Sequence, residues 1–170
     1  MNRVVNCTVL SNFAAVSHLD LLRDTVGPLY LPGGVYDEIL AGQMAGYAFY
    51  DDIEKHIRPF VADGWLHLLT MTDEELQLSA SLPSRLHQGE CACLCIARQR
   101  GWGILTDDRA AREQARAWNL LLSGTLGVLL LAIRDARLTV DAGNALLSEM
   151  IDRANYRAPT TDLNLLLSHP

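Results

Sequence analysis

The chain has 170 residues, 49% of them hydrophobic and 20% charged, with a formal net charge of −6 at pH 7. That length and balance suit one α/β domain with a real core and exclude a disordered chain. No apolar run reaches the length of a membrane-spanning helix, and the acidic balance argues against a purely electrostatic grip on nucleic acid, though not against an enzyme that handles it.

Residues 3–10, with Val4, Val5, Val9 and Leu10, read as a first strand that contains Asn6. Ser11 or Asn12 then caps a short helix through Val16. The apolar pattern continues over 18–22, and 27–32 form a short strand bounded by prolines. A helix over 33–40 follows and carries Glu38. Residues 42–48 are Gly-rich and weakly patterned, and 50–57 read as an exposed helix. Residues 64–69 alternate as a strand. Thr72, or Thr70 before it, opens a helix through Ala80 with Asp73, Glu74 and Glu75 in its first turn.

Residues 90–100 make a compact helix of small side chains. Its cysteines, Cys91, Cys93 and Cys95, are spaced C-x-C-x-C, which is not the C-x-x-C of zinc knuckles or redox pairs. With Cys7 they read as free thiols packed as small hydrophobes. A strand over 103–106 and a helix over 109–118 come next, then a short apolar run, a Leu-rich helix over 124–134 and an amphipathic helix over 140–153. Alternating strands and helices predict an α/β domain with a parallel sheet. The expected division is one domain over 1–155 and a tail or partner-binding segment over 156–170. The N-terminus lacks the layout of a secretory signal, so a cytoplasmic location is expected.

Asp107 and Asp108 sit directly after the apolar run Ile104-Leu105. Open parallel sheets place ligand crevices at this C-terminal end of their strands. One Asp can cap the following helix, but two crowded carboxylates repel unless a cation or hydrogen bonds hold them. Asn6, Glu38, Glu90 and Thr125 lie at other strand ends or helix starts that can face the same crevice. Such an acidic, oxygen-rich set suits a hard divalent cation, Mg²⁺ or Mn²⁺. Each also has a plainer role: Glu38 as a solvated helix residue, Glu90 as a favourable first-turn acid, Thr125 as a helix-start hydroxyl. Asn6 must be hydrogen-bonded or line a polar site.

The chain resembles the PIN-domain family, in its VapC-like group. The matching stretches are Val4-Val5-Asn6-Cys7-Thr8-Val9-Leu10, Leu31-Pro32-Gly33-Gly34-Val35-Tyr36-Asp37-Glu38-Ile39, and Gly89-Glu90. Then come Ile104-Leu105-Thr106-Asp107-Asp108-Arg109-Ala110-Ala111-Arg112 and Gly124-Thr125-Leu126-Gly127-Val128-Leu129. They run in order over residues 3–152. The resemblance implies a single three-layer PIN-like domain, a central parallel sheet flanked by helices. It implies a metal-dependent endoribonuclease, the toxin of a toxin–antitoxin pair, that leaves a 5′-phosphate and a 3′-hydroxyl. Glu38, Glu90, Asp107 and Asp108 carry over as catalytic acids, with Asn6, Glu90 and Asp108 holding Mg²⁺ or Mn²⁺. The chain departs from the family at Asn6, where an Asp is usual. Asn keeps an oxygen but loses the charge, which leaves a second reading open: a weakened PIN-like module that binds RNA or protein without cutting.

Arg109, Arg112 and Arg116 fall on one helical face, which Arg98 and Arg100 can extend. With Thr125 they are candidates for substrate binding; a solvated face paired with Glu113 is the plainer alternative. The histidines at 18, 56, 67, 87 and 169 show no ligand spacing, and Trp65, Trp102 and Trp118 are expected in or near the core. The apolar side chains of 126–133 and 163–167 offer a surface to a homodimer or an antitoxin, with burial in the core as the alternative. A phosphatase-like chemistry is disfavoured because the first strand has no D-x-D.

Overall fold

The strands expected from the sequence are parallel and central. A computed structural model describes residues 1–168, and His169 lies outside them. Six parallel strands form one sheet: β1 (Arg3–Val5), β2 (Leu29–Pro32), β3 (Ile57–Arg58), β4 (Leu66–Leu69), β5 (Gly103–Leu105) and β6 (Leu122–Ser123). Their order is β3-β4-β2-β1-β5-β6. Helices α1 (Cys7–Ala15), α2 (Leu19–Val26), α3 (Gly33–Met44), α4 (Asp73–Ala80) and α5 (Gln88–Arg100) occupy the first part of the chain. Helices α6 (Arg109–Ala117), α7 (Thr125–Arg134), α8 (Val140–Ala154) and the short α9 (Asn164–Leu167) follow. Val4, Val5, Leu29, Leu31, Leu66, Ile104 and Leu105 bury the sheet against them, as expected of a parallel sheet covered on both faces. Among the described residues no helix is long and apolar enough to cross a membrane.

The first strand is shorter than expected. It stops at Val5, and Asn6 caps α1, its Oδ1 accepting from the Cys7 N–H at 2.6 Å. Asn is a strong N-cap because its side chain satisfies a helix donor that has no partner within the helix. Asn12, read as a cap, lies inside this helix. Residues 50–57 are not an exposed helix but two short 3₁₀ turns leading into β3, with Tyr50, Ile53 and Ile57 buried. Helix α3 runs on to Met44, beyond Gly42. Thr72 closes α4 with a full capping box to Glu75.

The small residues of α5 let it lie close on the sheet. Cys93 is completely buried, and its thiol donates to the Val5 carbonyl at 3.5 Å. All four cysteines are free; burial pushes the Cys95 thiol up to about 12 and that of Cys7 up to about 11. Arg98 and Arg100 do not join the other arginines. Arg98 stacks on Trp118 at 4.4 Å, and Arg100 grips the buried Glu75 with bonds of 2.6 and 2.8 Å. In the C-terminal segment, Leu163 is completely buried, whereas Leu165 is 60% exposed.

Candidate functional site

Val5 pairs with Leu105 in register, so the chains leaving β1 and β5 start side by side. Asn6 and Thr106 are the next residues, and Asn6 Nδ2 donates to Thr106 Oγ1 at 3.1 Å. The same hydroxyl oxygen accepts the Asp108 N–H at 3.2 Å. Asp108 then caps α6, its Oδ1 accepting from the Ala111 N–H at 2.7 Å. Two helix caps are therefore linked through one buried hydroxyl. The plain capping role of Asp108 is real, and it leaves the second carboxylate oxygen without a protein donor among the described residues.

Glu90 and Glu38 complete this side. Glu90 is in the first turn of α5, with Oε2 accepting the His87 N–H at 2.9 Å. Glu38 reaches across from α3, where Oε1 accepts the Gly89 N–H at 3.1 Å. This approach needs Gly89: a Cβ there would lie 2.6 Å from Glu38 Oε1. Burial pushes both carboxyls above the usual range. The Glu90 carboxyl is raised further by the charges of Asp108 and Glu38, so it lies within electrostatic reach of both. Asn6, Glu38, Glu90, Thr106 and Asp108 thus gather at the C-terminal ends of the central strands.

Asp107 turns the other way. Its Oδ1 accepts the Thr125 N–H at 3.0 Å and the Tyr156 hydroxyl at 3.4 Å. Its Oδ2 accepts the Thr125 hydroxyl at 2.5 Å and Asn12 Nδ2 at 3.1 Å. Burial still holds the Asp107 carboxyl above its ordinary value, against these bonds and the nearby Arg112 charge. Thr125 has no exposed surface, so its hydroxyl supports Asp107 and is closed to a substrate. Arg109 is largely exposed and pairs with Glu113 at 3.0 Å. Arg112 is drawn inward, its Nη1 donating to the carbonyls of Thr106 and Ser123 at 2.8 and 3.3 Å.

Asn12, Thr8 and Tyr156 were not among the candidates. Thr8 Oγ1 accepts the Asp107 N–H at 3.1 Å, and Asn12 Nδ2 also donates to Thr125 Oγ1 at 3.0 Å. Val9, Asn12, Phe13 and Val16 fall at helical spacing, so a polar residue on a buried face was the available signal. Tyr156 carried none, because its partner lies 49 residues away in sequence.

Among the described residues, no group of three or more His, Cys, Asp or Glu side chains closes into a metal cage. The donors of the site still fit a hard cation. Glu38, Glu90 and Asp108 each give one oxygen to a backbone N–H and leave the other without a protein donor among the described residues. Magnesium is commonly held by one or two carboxylates, its remaining places filled by waters and substrate phosphates.

Together these features define an α/β domain whose parallel sheet carries an acidic, oxygen-rich cluster at the C-terminal ends of its central strands. Residues 2–169 match the family model described as DUF3368, PIN domain, and the chain belongs to the PIN-domain family. The PIN domain is a nuclease fold; PIN nucleases act on RNA or DNA and typically use divalent metals. None of the curated proteins matches the chain.

Proposed function

We propose that this protein is a metal-dependent endoribonuclease. The observation that carries the proposal is that Glu38 of α3 and Asp108 of the β5–α6 turn both lie within electrostatic reach of Glu90 of α5, each of the three with a carboxylate oxygen left over. In this reading Glu90, Asp108 and the Asn6 amide oxygen hold Mg²⁺ or Mn²⁺. The bound ion would supply Lewis acidity to the phosphodiester and to the attacking water. Glu38 takes the proton of that water, a task helped by burial, which makes its carboxylate a stronger base than an ordinary one. Thr106 positions Asn6 and Asp108 through its shared hydroxyl. Asp107 acts from behind, fixing the turn that presents Asp108, and Arg109 and Arg112 attract phosphate.

The cellular role in this proposal is that of a toxin whose antitoxin masks the acidic crevice, and the working form is a homodimer. Leu126, Leu130 and Ile133 of α7 and Leu165 of α9 leave apolar surface for such contacts.

Asp108→Asn is the test. It keeps the helix cap and removes the charge, so the variant should fold normally and lose Mn²⁺-dependent cleavage of single-stranded RNA. Retained cleavage would refute the assignment. Asn6→Asp should raise metal affinity and activity together. No cleavage by either the natural chain or Asn6→Asp would instead support the binding-module reading that Asn6 favours.

A further inference from the structure

Four of the fourteen lysines and arginines of this acidic chain line one cleft. A cleft of about 610 Å³ opens between α6, the β6–α7 turn and residues 156–159. Arg109, Arg112, Arg116 and Arg157 line it, against Asp107 and Glu113. The whole chain has only 14 lysines and arginines and a net charge of −6, so four arginines in one cleft run against its overall field. Arg112 is anchored by two carbonyls, while its Nε and Nη2 have no acceptor among the described residues. Arg116 and Arg157 are exposed and form no ion pair among the described residues.

This cleft adjoins two others that have Asp108 in their walls. A neighbouring cleft of about 500 Å³ shares Asp107, Arg109, Tyr156 and Arg157 with it and has Asp108 in its wall. A third, of about 320 Å³, shares Asp108 and Arg109 with the second and Arg109 and Glu113 with the first, and reaches Arg85. The three clefts meet around Arg109, and Asp108 stands where the second and third join.

We propose that these joined clefts form the track of a single-stranded RNA, its scissile phosphate at Asp108 and its neighbouring backbone phosphates held by Arg116 and Arg157. The inference rests on the nuclease reading given above. Guanidinium groups match phosphate oxygens in pairs, and exposed arginines without carboxylate partners give up little to bind them. Each cleft has the volume of a small-ligand pocket.

The experiment uses the full chain carrying Asp108→Asn, which holds RNA uncut, and a fluorescent unstructured RNA 12-mer titrated at several salt concentrations. Each phosphate contact on a single strand contributes about 0.7 to the slope of log K against log salt. Adding Arg116→Ala and Arg157→Ala should weaken binding and flatten the slope by about 1.4. Arg98→Ala, whose side chain sits on Trp118, should leave the slope unchanged. An unchanged slope in the double arginine variant would overturn the track, as would no RNA binding by the parent, or tighter binding of an acidic peptide or of duplex RNA. Cleavage by the natural chain with an unchanged slope removes the track alone. Binding with the expected loss of slope, but no cleavage by the natural chain, removes the nuclease reading and keeps the track.

Discussion

Replacing Thr125 with Val tests whether Asp107 is a buried, charged strut. The change keeps the β-branched shape and the backbone N–H that donates to Asp107 at 3.0 Å. It deletes the hydroxyl that donates at 2.5 Å to the same carboxylate and accepts from Asn12 at 3.0 Å. A hydrogen bond to a charged group is worth about 1.5–3 kcal/mol, and a neutral one about 1 kcal/mol. Thr125 has no exposed surface, so water does not replace the lost donor. The expected cost is about 3 kcal/mol, which for a domain of this size lowers Tm by about 6–12 °C. Denaturant titration and thermal melting followed by circular dichroism both read it. Repeating the substitution in an Asp107→Asn background should recover about 1–2 kcal/mol, because the charge is what makes the bond strong. A loss below about 0.5 kcal/mol in the natural background, the range of an ordinary surface change, would refute the reasoning.

Gly89→Ala removes room that Glu38 uses. Its Cβ would lie 2.6 Å from Glu38 Oε1, and the end of a flexible side chain can swing away. Stability should fall by about 1–2 kcal/mol, the lost hydrogen bond to the Glu38 carboxylate (about 1.5–3 kcal/mol) outweighing the helix preference of Ala over Gly (about 1 kcal/mol), while cleavage falls about 100-fold from the displaced carboxylate; paired melting and cleavage assays decide it. A pH titration of metal-free stability should turn over. Glu38, Glu90 and Asp107 are raised in the folded chain, so the native state binds protons first, and stability increases as pH falls toward their ordinary values of 4.5 and 3.8. Glu75, held low by Arg100, works in the opposite sense: its contribution is present above 4.5 and lost as pH falls through its lowered value. Stability that declines steadily from neutrality to acid would contradict the burial of the first three groups.

The acidic turn was legible because its signals agree. An apolar run ends, a good capping residue follows, and a helix-forming stretch begins, so β5, Asp108 and α6 fall where expected. The first strand was misread because Val9 and Leu10 continue the apolar run of Val4 and Val5, and only the capping geometry of Asn6 separates strand from helix. That error hid Asn12, whose meaning depends on the helix period. Spacing also could not separate the jobs of Asp107 and Asp108, because neighbouring side chains diverge according to partners supplied by α1, α7 and residue 156. Glu38 looked like a solvated residue for a similar reason. Its partner is a backbone N–H some 51 residues onward, exposed by a missing side chain.

The division between the two adjacent aspartates bears on how such a protein can diverge. In the proposed reading Asp108 spends one oxygen on a helix cap and offers the other to a ligand, whereas Asp107 is held by partners in the interior. In that reading, a lineage released from selection for cutting loses only a helix cap, about 1 kcal/mol, when the former changes. The latter stays under constraint for as long as the chain folds at all, so among drifting copies the inward aspartate should outlast its neighbour.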